Sequence, residues 1–567
     1  MPTLIRSLSR RDAILILLGA LSMHFFSTLG SFSQSSIVIN THNELTQQDP
    51  TPEKYHGDGQ EIEIVVDHPS EEHSPAEIFV TKQTEFETKA ASADLPTPTP
   101  SNDVAVPVPT APTGIPQTTI VEHVPGWTLF RDIYMSNGTL FIVSSSPASE
   151  FPHIRMMTST GLEAENTPEN IASREPTPWN MDFVTPEEAT QRWGKPTDSP
   201  RVWTVEGNTL LFNDPSQFLA HYYHFCAELL LGAWSFWTGA AHPAPPPPID
   251  RAIFAHSGHS WRDNPGFNAY FLRAAFPSLT VEVEEDWNDR ILATSASLDT
   301  AGQRAWHFPQ LLLSDRSAAF RGKLCGSMNQ RTASESVDGL IALNKLDKQG
   351  DWWRPIRHAV WRFAGVTDGR VESLASVQVQ PDELSVPLPS PEEDQDKIVI
   401  TYISRQAVRR RLIPEDHDVL VQALNDLVER KNAETKEARA AGAIAAKDWE
   451  LYVPQAETMT KDEQVRMAAR TTILLGVHGN GLTHLILMPR TRISAVIEMF
   501  FPGGFAHDYE WTTRALGMRH FAVWNDTYYT EENTPHVSYP EGFQGTSIPV
   551  YGPAVADLIE KRVAGLI

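Results

Sequence analysis

Cysteine is nearly absent. Only Cys226 and Cys325 stand in 567 residues, so no disulfide framework holds this chain together and at most one bridge, between those two, can form. Positive charge is also short. The 46 Lys and Arg face 71 Asp and Glu, a formal net charge of −25, which excludes the concentrated basic face that a nucleic-acid partner requires. Any anionic ligand must be met locally, by a few gathered cations. Several motifs are missing too. With no GxSxG elbow, CxxC pair, EF-hand loop or GxxxxGK[ST], the chain lacks the signatures of a serine hydrolase, a thiol-redox protein, a calcium loop and a Walker-type nucleotide site. No carboxylate pair at fixed spacing supports a glycoside hydrolase. What is present is globular mass: 41% hydrophobic residues and 15 Trp can bury large cores, and the length calls for roughly two to four units.

The first thirty residues are asymmetric. Arg6, Arg10 and Arg11 precede an uncharged run from Ala13 to Gly30, and the next basic residue is Lys54. Eighteen helical residues cover about 27 Å, close to the ~30 Å hydrocarbon layer, and the positive flank stays cytoplasmic. The expectation is a cytoplasmic tail over 1–12, a transmembrane signal-anchor over 13–30 and a lumenal body, in single-pass type II orientation in the Golgi or endoplasmic reticulum membrane. A cleaved signal peptide is the competing reading of the same run, and both send the body through the secretory route. From 31 to 123, fifteen Asp or Glu stand against three Lys and no Arg, with eleven Pro. Such a composition cannot bury enough apolar surface to order itself, which predicts an acidic, Pro-rich, disordered stalk.

Folding signals begin at Trp127, where two β-rich runs flank Asn137-Gly138, a hairpin cue. Asn137 and Asn525 each open a glycosylation sequon, which suits a lumenal body. Over 124–370 the strands VWTVEG, RAIFAH and ILAT alternate with the helices HYYHFCAELLLGAWSFW and NAYFLRAAF, predicting an α/β domain that presents the acceptor. Residues 371–396 turn to Pro, Ser and acid and read as a linker. Over 397–535 the strands KIVITYIS, WELYVP, TTILLGV, ISAVIEMF and RHFAVW alternate with helices, the first of them capped by Asp416. This predicts a doubly wound parallel sheet, followed by a tail or helix over 536–567. Two α/β domains of this kind face a cleft, and ligands bind beyond the carboxyl ends of strands.

The sharpest local pattern is Gly476-Val477-His478-Gly479-Asn480-Gly481, between an apolar strand and a helix. Glycines let backbone approach a ligand closely, and a helix N-terminus offers unpaired N–H groups to a phosphate. His478 adds a donor or, if protonated, a cation. Arg405, Arg409, Arg410 and Arg411 follow the first strand of the same domain, gathering bidentate phosphate donors in a chain short of cations. Glu498 closes a neighbouring strand, where a carboxylate can accept ribose hydroxyls. In the first domain His224 and Glu228 stand four apart, a spacing that suits a general base with its orienting carboxylate. Asp394–Asp396 and Asp416–Asp418 spell DxD, but linker acid and helix capping explain them, and no metal site is expected.

Five stretches in order, GWTLFRDIYMSNGTLFIV (126–143), FPHIRMMTSTG (151–161), HYYHFCAELLLGAW (221–234), ITYISRQAVRRRL (400–412) and GVHGNGLTHLILMPR with VIEMF (476–500), resemble glycosyltransferase family 61, most of all fungal members of type II topology. The family's loop more often reads GAHGAGLTN; here Val477, Asn480 and His484 occupy its variable places. The resemblance implies a GT-B-like fold of two Rossmann-like domains. It also implies inverting transfer from a UDP-sugar, xylose or N-acetylglucosamine, to a hydroxyl of a glycan or glycoprotein acceptor. Donor binding falls to Arg405, Arg410, His478, Gly479, Asn480, Gly481 and Glu498, and catalysis to His224 and Glu228. No cofactor is required, a divalent cation being an optional aid. A carbohydrate-binding scaffold that kept the fold and lost transfer is the alternative.

Overall fold

A two-residue turn organises the first sheet. Asn137 and Gly138 both adopt left-handed backbone (φ 51° and 83°), which matches the twist of the strands they join and forces those strands antiparallel. The computed structural model describes residues 114–567 apart from 166, 195–200, 296–302, 320–328, 367–396, 408 and 444–445. The expected tail, anchor, nearly all of the stalk, the linker and Cys325 lie outside the described residues. No helix among the described residues is long and apolar enough to cross a membrane.

The first sheet has nine strands: β1 (Thr119–Val124), β2 (Trp127–Ser136), β3 (Thr139–Val143), β4 (Met181–Val184), β5 (Val202–Thr204), β6 (Asn208–Pro215), β7 (Arg251–His256), β8 (Thr280–Glu282) and β9 (Ala305–Ser314). Their order is β4-β3-β2-β9-β6-β7-β8, with β1 beside β2 and β5 beside β9. From β9 to β8 the pairing is parallel, whereas β1, β2, β3 and β9 meet antiparallel. The sheet is therefore mixed rather than wholly parallel, because the hairpin sets β2 and β3 antiparallel.

Two sequence readings are corrected here. Ile291–Thr294 (ILAT) is no strand but the last turn of the helix Glu284–Thr294, whose first turn carries Glu284, Glu285 and Asp286 against the helix dipole. Thr119–His123, assigned to the stalk, belong to β1; the β-branched TTIV run was masked by the proline-rich residues before it.

The second sheet comprises β10 (Lys397–Ile403), β11 (Asp448–Tyr452), β12 (Ile473–Val477), β13 (Ala495–Met499), β14 (Arg519–Trp524) and β15 (Thr527–Tyr529), in the order β11-β10-β12-β13-β14-β15. The first five are mutually parallel, as expected, and every residue of β12 and β13 is buried, because helices cover both faces. Strand order reverses between β10 and β12, which creates a crevice at their carboxyl ends. On one face lie the helices Pro414–Ala440 and Gly552–Val563, sharing Leu420, Leu424, Val555, Leu558 and Ile559. The last helix is thus part of this core rather than a tail. Asp416 sits inside the first of these helices, whose N-cap is Ile413, and its carboxylate accepts the Val550 N–H instead (3.1 Å).

Each sheet has a core of its own on one face, and a third, larger apolar cluster joins the two on their facing sides. Leu229 and Trp237 from the first half meet Leu485, Tyr509 and Met518 from the second, with Trp353 between. The Trp353 and Trp361 indole N–H groups donate to the carbonyls of Ile486 and Leu487, each at 2.8 Å.

Candidate functional site

The loops after β10 and β12 leave neighbouring strands at the order reversal, which brings the arginines and the glycine turn together. Gly479 has φ 151° and ψ 176°, a conformation open almost only to glycine, and a Cβ there would lie 1.7 Å from Arg405 Nη1. The guanidinium of Arg405 therefore lies directly on the turn. Arg410 is held in left-handed backbone at φ 54°. Both side chains are half-buried, and the Nε of each is buried without a hydrogen-bond partner. Burial first, then Arg409 beside Arg405 and both Arg405 and Arg409 beside Arg410, pulls the two guanidinium groups below their ordinary values. Two half-buried cations without a carboxylate in contact carry a desolvation cost that a bound anion would offset.

His478 leads the turn. Its Nδ1 lies 2.5 Å from Glu498 Oε1, and Glu498 Oε2 lies 2.8 Å from His520 Nε2. Burial first, then Arg410, Arg405 and His520, holds His478 well below the ordinary imidazole value, so it acts as a neutral hydrogen-bonding group and not as a cation. Glu498 is wholly buried, which raises its carboxyl well above the usual range. Both of its oxygens are held by histidines, so in this structure it orients His478. The segment Asn480–Leu487 also differs from the expected α-helix, forming a tighter 3-10 helix in which Asn480 Oδ1 accepts from Thr483 Oγ1 (3.2 Å). Gly481 packs on Ile403 at the end of β10.

From the first half comes Tyr223–Leu230, a π-helical stretch continuing as the α-helix Leu231–Ala241. Wide turns of this kind recur at functional sites. His224 Nδ1 lies 2.9 Å from Glu228 Oε2, as the spacing predicts. The same oxygen accepts from Arg316 Nη1 (2.8 Å), and Arg316 Nε donates to Asp214 (2.6 Å), all three side chains being buried. Burial raises Glu228 to about 8 against the opposing pull of Arg316, and lowers His224 to about 4. His224 is the one member with an open edge.

Tyr223 and Tyr509 join the two halves. The Tyr223 hydroxyl donates to the Asp508 carbonyl at 2.5 Å, its ring lies 4.7 Å from that of Tyr509, and Tyr509 packs edge-on to His478 at 5.7 Å. Arg410 acts electrostatically on His221 and on Asp508, and Asp508 on His224. The arginines, the glycine turn and His478 thus face His224 and Glu228 across Tyr223 and Tyr509, with Glu498 behind His478.

The chain matches no family model and no curated protein. The function must be argued from the site.

Several participants escaped the sequence reading. Arg316, Asp214 and His520 carried no local pattern, and Asp508 and Tyr509 were seen only as the head of a helix. Asn137 and Asn525 are both exposed in left-handed turns (each φ 51°). Among the described residues no three His, Cys, Asp or Glu side chains gather as metal ligands, and Cys226 is buried and free. A cavity of about 460 Å³ lined by Lys397, Lys431, Trp449 and Arg492 opens at the amino ends of the strands, at the other end of the sheet from these groups.

Proposed function

We propose that this chain is an inverting glycosyltransferase of GT-B-like architecture. It moves a sugar from a nucleotide diphosphate donor to a hydroxyl of a glycan or glycoprotein in the Golgi or endoplasmic reticulum lumen, anchored in type II orientation. One observation carries the reading: the unpartnered guanidinium groups of Arg405 and Arg410 beside the bare backbone of Gly479, at the strand-order reversal of a parallel sheet. In an acidic protein that constellation fits a diphosphate, which accepts bidentate guanidinium bonds and backbone contacts together. A diphosphate is also the leaving group that such a transfer must stabilise, and fixed positive groups supply that stabilisation. The resemblance to family 61 specifies UDP, with xylose or N-acetylglucosamine. His224 and Glu228 line the acceptor side across Tyr223 and Tyr509.

Titration of the purified lumenal part with UDP, alongside a transfer assay over a panel of UDP-sugars, tests this. Micromolar UDP binding is expected. Losing a charge-assisted contact of about 1.5–3 kcal/mol in Arg405→Ala weakens it by about 10–150-fold. Unchanged affinity in both Arg405→Ala and His478→Ala overturns the donor site, and binding without turnover of any donor favours the scaffold.

A further inference from the structure

An inverting transfer needs a carboxylate or imidazole that reaches the acceptor hydroxyl, and the carboxylates around the junction are unequal. Glu498 is wholly buried between two histidines. Glu228 is wholly buried behind His224 and committed to Arg316. Asp508 differs from both. It opens the helix Asp508–Ala515, its backbone carbonyl is pinned by Tyr223 (2.5 Å) and Thr512 (3.1 Å), and its side chain is partly exposed with no partner among the described residues beyond its own backbone N–H. Its backbone is therefore held across the junction while its carboxylate stays available.

The groups facing it come from every element packed there: His224, Glu228 and Tyr223 from the π-helical stretch, Arg410 from the loop after β10, Glu498 from β13, and Tyr509 beside it. Asp508 is thus felt by both the acceptor-side pair and a diphosphate-side cation, and its backbone is tied to the π-helical stretch through Tyr223.

Resting on the transferase reading above, we infer that Asp508 is the catalytic base and that His224 with Glu228 positions the acceptor. The Asp508 carboxylate takes the hydroxyl proton as the acceptor oxygen's electron pair forms the new bond to the anomeric carbon. The bond from that carbon to the diphosphate oxygen breaks with its electrons on the diphosphate, where Arg405 and Arg410 receive the charge. Anomeric configuration inverts, and the proton passes from Asp508 to water. Burial and Glu228 raise the Asp508 carboxyl to about 6 against His224 and Arg410, suiting a base that works near neutrality. Glu228 is wholly buried and its Oε2 is already shared by His224 and Arg316, which leaves it no free edge toward an acceptor hydroxyl.

The test compares wild type with Asp508→Asn and Glu228→Gln in the lumenal protein, measuring UDP affinity by calorimetry and kcat/KM against pH with the best donor found. Asp508→Asn is expected to lower kcat by about 10²–10⁴-fold with UDP affinity within about threefold, and its residual activity should lack the acidic limb near pH 6. Glu228→Gln should keep that limb. Turnover within about tenfold of wild type with the limb intact overturns the inference, as does a parallel loss of UDP affinity and thermal stability, which marks a structural role. If wild type neither binds UDP nor transfers from any donor, the transferase reading falls and the inference with it. Wild-type transfer with Asp508→Asn turning over within about tenfold of it removes the inference alone and leaves the transferase reading standing.

Discussion

Gly479→Ala makes the most direct test of how the turn is built. The added methyl must fit at φ 151° and ψ 176°, a region L-residues avoid at about 1–3 kcal/mol, and its carbon would start 1.7 Å from Arg405 Nη1. The backbone is fixed between a fully buried strand and a helix tied to Trp353, so the guanidinium must move. Two losses follow. Stability falls by the strain, lowering Tm by about 2–12 °C, since each kcal/mol shifts a domain of some 200 residues by about 2–4 °C. UDP affinity falls as Arg405 leaves the phosphate, by about 1.5–3 kcal/mol or roughly 10–150-fold. Gly442→Ala separates the two effects: that glycine also has positive φ (99°) but nothing within 4 Å, so it should lose stability and keep affinity. Differential scanning calorimetry and UDP titration on both variants decide the matter. A Gly479→Ala protein that binds UDP as wild type does would show that Arg405 is not a phosphate ligand.

Other substitutions probe the buried polar groups. A neutral Glu498 donates to one histidine and accepts from the other, as a glutamine does; Glu498→Gln should keep Tm within a few degrees, while Glu498→Ala strands two buried imidazoles at about 1–3 kcal/mol each. Equal melting of the two variants would contradict that picture. Arg316→Ala leaves Asp214 and Glu228 buried with no counter-ion and should cost about 3–5 kcal/mol by urea unfolding, whereas a loss under 1 kcal/mol would mean water reaches them. Acid should destabilise the protein well above the carboxylate range. Burial lowers His221 and His520 to about 3, and His224 and His484 to about 4, from an unfolded value of 6.5. The unfolded chain takes up these protons first, so stability present above pH 6.5 drains away as pH falls toward about 4. Glu228 has the opposite sign: its contribution, complete below about 4.5, is lost as pH rises through about 8. Urea midpoints should therefore peak near neutrality, and a flat profile from pH 7 to 4.5 would refute the histidine argument.

The parts legible in the sequence were those written locally. Strands with unbroken apolar runs, such as Ile473–Val477 and Ala495–Met499, have to be buried on both faces, and Asn137-Gly138 has to turn. The convergence of Arg405 with Gly479 was also readable, because residues that follow adjacent parallel strands share an edge. Illegible parts depend on distant partners. Glu498 ends a strand like many ribose ligands, and only the placement of His520 on the next strand shows that its second oxygen is taken. Arg316 looks ordinary in sequence and becomes decisive because β9 lies beside β6, within reach of Asp214. Ile291–Thr294 looks like a strand in isolation, since a run of four residues carries no period of its own and the first-turn acids begin seven residues earlier.

Trp353 and Trp361 have one further consequence. Their indoles satisfy carbonyls that a 3-10 helix leaves open at its end, and they belong to the other layer of the molecule. Swinging the layers apart like jaws would strip both bonds and wet the apolar seam around Leu485 and Met518. On the proposed transferase reading, a nucleotide slips in along the rim by shuffling arginine side chains, and its release should follow the rhythm of rotamers rather than that of hinges.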